Sequence, residues 1–562
     1  MTRKKLPIGF EDFEEIISGE YYYVDKTLFI KELLDNLAKV SLFLRPRRFG
    51  KTLALSMLKY FVEDTGDQAL NAARRELFCG LKIMNQGAAY TERMTSSPVI
   101  NLTLKSVKQP DFELAMSALK DAVAGEFHRR HSITDSLSTP GSKEKFRRIE
   151  EGNGNLDDYN TSLYFLSKCL HEVTGRKVVV LIDEYDVPLD GAWFNGYYNE
   201  MIGFIRTFFE SALKTNPFLE FAVITGCLRV SQESIFTGLN NLDVISMFSG
   251  RYGGYFGFTQ DEVDDMLHYY GRESRREDFR LWYDGYRIGN AEIYNPWSAI
   301  KCLVELIVDE NAFLTPHWVN TSSNDIVRRL VDEAGNGTRQ ELEILMSGGV
   351  IEKTVSENVT YKDLEHSGDR LWDFLFFTGY LTLDGKRQEG PQIVYRLKIV
   401  NTEVMLLFED IIVSWFKNSV KNRDTSVIRN AFIEGDAKTI EEEISEALFE
   451  TISYHDYGED FYHGFMAGLL NTLGNYGVRS NREAGLGRPD ITLIPARRKD
   501  PYIIIEFKTT KNQSDMETVC EAALEQIASQ RYAEEAQKEG WNRVVCYGIA
   551  FWKKQALVRI AG

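Results

Sequence analysis

The stretch from Lys39 to Leu58 constrains this 562-residue chain more than any other. It opens with an apolar run, KVSLFLR (39–45), turns through RPRRFGKT (45–52), and continues as the helix-periodic segment TLALSMLKYFVED. A buried strand that turns sharply into a helix leaves the first helical N–H groups unpaired, backed by the positive end of the helix dipole. Such a turn cradles phosphate. Gly50, Lys51 and Thr52 fill the last three places of G-x-x-x-x-G-K-[ST], in which the Lys reaches the β- and γ-phosphates and the hydroxyl ligates Mg²⁺. Arg45 stands where the first Gly belongs, so a different turn is expected, stiffened by Pro46. The expected nucleotide contacts are Arg48, Phe49, Gly50, Lys51, Thr52 and Leu53.

Three more runs, SPVINLTL (97–104), KVVVLIDEYD (177–186) and LEFAVITGCLRV (219–230), share the texture of the first. They are nearly all apolar rather than alternating, which predicts parallel strands covered on both faces, with helical patterns between them. KVVVLIDEYD is a strand delivering two acids at its end: Asp183 as a Mg²⁺ ligand with Thr52, and Glu184 to orient or deprotonate a water. The bland reading of each motif alone, a strand or helix ending in solvated charge, weakens once both lie in this order. SPVINLTL is a candidate extra strand between the two motifs. Thr225 is a candidate γ-phosphate sensor and Arg229 a candidate charge-stabilising arginine; the alternative is a strand end and turn.

Residues 130–160, rich in Ser, Gly and charge, read as an exposed insertion. Beyond about 260 the pattern breaks into short helical segments. WYDGYRIGNAEIYNPWSAI (282–300) reads as a hairpin or loop leading into a helix, and DGKRQEGPQIVYRLKIVNTEV as a small hairpin before another. The expected division is an α/β phosphate-loop domain (1–265), a mainly helical or winged accessory region (266–450) and a compact mixed domain (451–562).

That last stretch orders its elements αβββαββ. Glu506 and Lys508, at i and i+2 of the strand PYIIIEFKTT, share one face, and Asp490 begins the neighbouring strand. Two carboxylates and an ammonium in one cleft suit phosphodiester hydrolysis. Asp490 and Glu506 supply oxygen ligands for a hard cation, and Lys508 steadies the charge on phosphorus. Glu483 is a further candidate ligand, and Gln526 and Tyr532 are candidates to orient water or touch the backbone. The alternatives are an exposed Glu506–Lys508 ion pair, a packing or hydrogen-bonded His463 rather than a ligating one, and a solvated face at Arg479, Arg482 and Arg488 in place of a phosphate grip.

Composition narrows the classes. The formal charge is −17, but residues 451–562 are neutral, with 14 Lys and Arg against 14 Asp and Glu. The acidic balance therefore does not count against nucleic acid at the C-terminal site. Six scattered cysteines without a C-x-x-C pair fit reduced thiols in a cytoplasm rather than disulfides or a zinc ribbon. No run approaches the ~18–20 apolar residues of a membrane span, and the start lacks the apolar region of a signal peptide.

LPIGFEDFEEI, YYYVDKT, LFLRPRRFGKT, VLIDEYDVPL, ITGCLRVSQESIFTGLNNL, YFGFTQDEV, WYDGYRIGN and YNPWSAI together resemble the AAA-ATPase-like family, over most of residues 5–300. FYHGF, REAGLGRPDI, IIIEFKTT and the EQIASQRY helix resemble the PD-(D/E)XK nuclease superfamily, over about 455–560. The first resemblance implies a P-loop ATPase fold that binds ATP through Lys51, Thr52, Asp183 and Glu184. The family's loop pattern resembles RPRRFGKT, so Arg45 is less anomalous there than against the general consensus. The second implies a restriction-endonuclease-like αβββαβ fold and a nuclease using Mg²⁺, or Mn²⁺, on nucleic acid, DNA favoured over RNA. The whole is expected to be a multidomain α/β protein, ATP-gated, in a defence or mobile-element setting. Homo-oligomers are compatible with it, because ATPase arginine fingers often act between subunits. The rival expectation is a nucleotide-dependent switch or scaffold whose C-terminal domain binds without cleaving.

Overall fold

The predicted strands form one five-stranded parallel sheet, joined by a fifth strand the apolar runs did not announce. β1 (Val40–Leu44), β2 (Val99–Thr103), β3 (Val178–Asp183), β4 (Leu219–Gly226) and β5 (Leu242–Ile245) lie in the order β2-β3-β4-β1-β5. The computed structural model describes residues 3–228, 240–318, 327, 336–357, 370–409, 426–451, 459–471, 473–480 and 489–561. Every residue of β1 and β3 is buried, which is why those runs carry no polar alternation. β5 is a half-buried edge strand of four residues, LDVI, too short and mixed to stand out. SPVINLTL is indeed a strand, but β2 sits at the sheet's edge. The strand lying between β1 and β3 is β4, which sets Thr225 beside both motifs.

The chain divides into two units. One comprises Met1–Asn320, Lys353–Tyr395 and Val400–Glu403; the other comprises Thr321–Glu352, Arg396–Ile399 and Val404–Gly562. Residues 130–160 are not a loose insertion. Helices Pro140–Glu150 and Leu156–Asn160 bury Phe146, Ile149 and Tyr159 completely. Their starts are set by Thr139, which accepts from Ser142 N, and by an Asn155–Asp158 capping box. A few well-spaced apolar residues outweigh the polar composition. The 282–300 stretch is the predicted hairpin, β6 (Tyr286–Ile288) with β7 (Ala291–Ile293), followed by helix Pro296–Val308. Three further strands, β8 (Ile351–Lys353), β9 (Leu381–Glu389) and β10 (Gln392–Ile399), accompany the helices of the middle region.

The C-terminal sheet runs β11 (Tyr476–Ser480), β12 (Ile491–Pro495), β13 (Tyr502–Thr509), β14 (Val544–Trp552) and β15 (Gln555–Ile560), in that order in space. Only β13 and β14 pair in parallel, and helix Met516–Ser529 makes the crossover between them. With helix Glu459–Leu470 in front, the order is the predicted αβββαββ. Among the described residues no helix is long and apolar enough to cross a membrane.

The far end of the phosphate-loop helix, Lys51–Val62, is anchored by charge. Glu63 is fully buried; it accepts from Arg74 at 2.7 Å and pairs with Arg129 and Arg130, which both also donate to Val99 O at the start of β2. Burial works against the Glu63 carboxylate, yet the three guanidiniums prevail and hold its pKa at about 2. Breaking such a pair leaves buried cations uncompensated, so Glu63→Ala is expected to cost about 3–5 kcal/mol at pH 7 in urea unfolding. The folded pKa is depressed, so this stability is full above the unfolded value of about 4.3 and is lost as pH falls toward about 2. The gap between variant and parent should therefore close in acid; a difference below about 1 kcal/mol at pH 7 would remove the anchor.

Candidate functional site

At the C-terminal end of β1 the chain turns through Arg45–Gly50 into the helix. Arg48 (φ 67) and Gly50 (φ 77) are both left-handed, a conformation costly for arginine and free for glycine. Left-handed residues in such a turn bring successive N–H groups onto one concave side, the arrangement that holds anions. Lys51 is buried, and its Nζ donates to the loop's own carbonyls, Pro46 O at 2.9 Å and Arg45 O at 3.1 Å. Phe49 is buried edge-on to Tyr286, while Leu53 is half-buried in the first helical turn.

One carboxylate collects the neighbouring elements. Asp183 accepts from Thr52 Oγ1 at 2.7 Å on one oxygen and from Thr225 Oγ1 on the other. Glu184, also left-handed (φ 53), is half-buried beside them. Burial raises its pKa against the pull of Lys51, with Asp183 and Asp186 adding to the rise, a displacement that suits a base. Thus Lys51, Thr52, Asp183, Glu184 and Thr225 gather in one place as the sequence implied. Arg229 lies outside the described residues.

Three features were not read from the sequence. Asp186 is buried and accepts from Cys227 N at 2.8 Å and Leu228 N at 3.0 Å, fixing the turn after Thr225. An added Cβ on Gly226 would collide with the Tyr185 ring, so that position is glycine. Arg47 reaches Asp190 at 3.1 Å, a carboxylate shared with Lys108 at 2.9 Å. The third acid in DEYD was the available signal for Asp186. For Asp190, nothing in the local pattern distinguishes it from a helix-surface acid.

Arg45 resolves differently from a phosphate contact. Its guanidinium is fully buried, donates to Leu44 O, Ile245 O and Ser246 O at 2.8–3.1 Å, and stacks on Phe256 at 5.1 Å. Burial lowers its pKa to about 9. It ties the start of the loop to the edge strand, and the left-handed places move to Arg48 and Gly50.

In the C-terminal unit, Asp490 stands just before β12, and the pairing of Ile491 with Ile505 carries it opposite Glu506. Glu506 is buried; its Oε2 accepts from Asp490 N at 3.3 Å and its Oε1 from the Gln526 side chain. Asp490 Oδ2 in turn accepts from Phe507 N at 2.9 Å. Lys508, two places on from Glu506, is half-buried on the same strand face. Oxygen donors alone suit Mg²⁺ or Mn²⁺. Among the described residues no three Asp, Glu, His or Cys side chains gather around one point, so the site presents a carboxylate pair.

Glu483, Arg482 and Arg488 lie outside the described residues. His463 takes the packing role: Nε2 sits 3.2 Å from Asp490 O and its ring packs on Phe507. Tyr532 is buried in a cluster with Ile504, Ile527 and Cys546. Arg479 is exposed on β11.

The fold and loop define a P-loop nucleotide domain joined to a restriction-endonuclease-like domain. Residues 7–236 match the AAA-ATPase-like family, described as predicted AAA-ATPase, and residues 457–560 match the PD-(D/E)XK nuclease superfamily, so the chain carries a domain of each. Domains of these classes generally use ATP and divalent metals, and the second acts on nucleic acid. A relative from Azotobacter chroococcum mcd 1, described as "Uncharacterized protein in vnfD 5'region", is 26% identical over 556 residues, covering 96% of this chain and 95% of its own. The alignment spans the residues of both matched domains of this chain.

Arg45→Gly, which restores the general loop consensus, should weaken the protein. It opens a cavity and strands carbonyl acceptors, a loss of about 2–5 kcal/mol. Urea unfolding with ATP titration checks it; unchanged stability or tighter ATP binding would contradict the tether.

Proposed function

We propose that this chain is a cytoplasmic ATPase coupled to a Mg²⁺-dependent nuclease that hydrolyses phosphodiester bonds, with DNA favoured over RNA and ATP gating the cut, in a defence or mobile-element setting. The observation that carries the ATPase half is the Asp183 carboxylate bonded by both Thr52 and Thr225, with Lys51 and Glu184 alongside. The nuclease half follows from Asp490 and Glu506 meeting across adjacent strands with Lys508 on the same face.

In the first site Lys51 exchanges its loop carbonyls for the β- and γ-phosphates, and the loop N–H groups hold the remaining oxygens. Thr52 and Asp183 are the residues to hold Mg²⁺, which when bound neutralises developing charge on the phosphates. Glu184 orients the attacking water and takes its proton. In the second site Asp490 and Glu506 hold the metal, Gln526 keeps Glu506 in place, and Lys508 meets the charge developing on the scissile phosphate.

Three substitutions test the halves separately. Lys51→Ala should abolish ATP turnover, and Glu184→Gln should slow it about 10²–10⁴-fold while leaving ATP bound. Glu506→Ala should cut Mg²⁺- or Mn²⁺-dependent cleavage of single- and double-stranded DNA and RNA at least about 100-fold. Cleavage by Lys51→Ala that matches the parent with and without ATP would end the gating. ATP turnover with no cleavage of any polymer would make the protein a nucleotide-dependent switch instead.

A further inference from the structure

The phosphate loop is braced from a part of the N-terminal unit far beyond residue 236. Gly379 packs so close to Pro46 that an added Cβ would stand 3.0 Å from that ring. The Trp318 indole N–H donates to Arg47 O at 3.3 Å, and the Arg48 guanidinium lies over the Trp297 ring at 4.3 Å. Phe49 meets Tyr286 edge-on at 4.9 Å. Four successive loop residues are thus touched by residues 286–379.

A single carboxylate organises the two indoles. Glu403 is fully buried and accepts from Ser298 Oγ at 2.8 Å, from Trp318 N at 2.6 Å and from His317 N. Ser298 follows Trp297 in the first turn of helix Pro296–Val308, whose start is capped by the Asn295 side chain. The Trp297 indole closes the circuit by donating to His317 O at 3.3 Å. Placing a carboxylate in a protein interior costs stability unless several donors meet it, and Glu403 stands far in sequence from every residue with which it bonds.

The geometry at Arg47 shows what such bracing does. All described peptides are trans, so the Arg47 carbonyl and the Arg48 N–H point in opposite directions. Holding that carbonyl on Trp318 turns the Arg48 N–H to the side away from the indole. Arg48 is itself left-handed, a strained conformation that needs support from its surroundings, and the Trp297 ring covers its guanidinium.

We propose that Glu403, acting through Trp318 and Trp297, is a positioning residue of the phosphate loop, so that the nucleotide site is completed by Tyr286, Trp297, Trp318, Gly379 and Glu403. The proposal rests on the ATPase reading above. Glu403 touches no reacting atom; it sets the loop conformation to which the phosphates bind. Its loss should therefore appear as weaker nucleotide binding, not as a slower chemical step.

The test uses the full chain and ATP. Trp318→Phe keeps an aromatic, though smaller, side chain and removes the indole N–H, so the KM for ATP and the Kd of a fluorescent ATP analogue should rise about five- to tenfold. kcat should stay within about threefold. Glu403→Gln keeps an acceptor for Ser298 and Trp318 and should recover most of the affinity that Glu403→Ala loses. If Glu403→Ala does not fold, Trp318→Phe decides alone. A KM and Kd within about twofold of the parent in Trp318→Phe, or a loss confined to kcat, overturns the positioning role. A parent protein that neither binds nor hydrolyses ATP instead defeats the ATPase reading, and the positioning role with it.

Discussion

The Asp183 carboxylate is the contact on which the N-terminal site depends. It ends β3, and its two oxygens are taken by hydroxyls from different elements, Thr52 of the loop helix and Thr225 of β4. Those partners can converge only because β4 lies between β1 and β3 and all three run parallel, so their C-terminal ends stand side by side. The buried acid is acceptable because both oxygens are bonded, and the same two hydroxyls keep it aimed at the loop. Asp186, one turn later, repeats the device on backbone N–H groups and fixes the turn beyond Thr225.

Charge in the loop is divided rather than pooled. RPRRFGKT carries four cations in eight residues, and each is met differently. Arg45 is spent on carbonyls at the sheet edge, Arg47 on Asp190, Arg48 on an aromatic face, and Lys51 on neutral loop carbonyls. Arg45 and Lys51 both rest on neutral acceptors, which hold a cation less strongly than a carboxylate does, but the carbonyls that Lys51 meets are those of the loop itself.

The sequence announced what is local and was silent on what is assembled. Strands β1 to β4, the loop helix, the 282–300 hairpin and the C-terminal order were legible because burial on both faces, or period-2 and period-3.6 patterning, leaves its mark on neighbouring residues. The placement of Lys51, Thr52, Asp183, Glu184 and Asp490 was legible because their spacing sets them at element ends, and that of Glu506 because it lies opposite Asp490 within β13, with Gln526 in the last turn of the following helix. β5 was not, being a short edge strand. Neither was the helical character of 130–160, where Phe146, Ile149 and Tyr159 are buried within a polar stretch. Arg45 was legible as a departure from consensus but not in its purpose, since its partners lie two hundred residues away at Ile245 and Ser246.

The C-terminal acids pose the opposite electrostatic problem. Asp490 and Glu506 face each other across β12 and β13, and two adjacent carboxylates raise each other's cost of ionisation. The strand ends relieve this reciprocally: Asp490 N donates to Glu506, Phe507 N donates to Asp490, and Gln526 donates to the second Glu506 oxygen. Each of these three donors is neutral. Oxygen donors of this kind suit a hard cation, and Lys508 lies on the same face of β13. Charge over residues 451–562 is evenly balanced, so the two acids do not belong to a uniformly acidic domain.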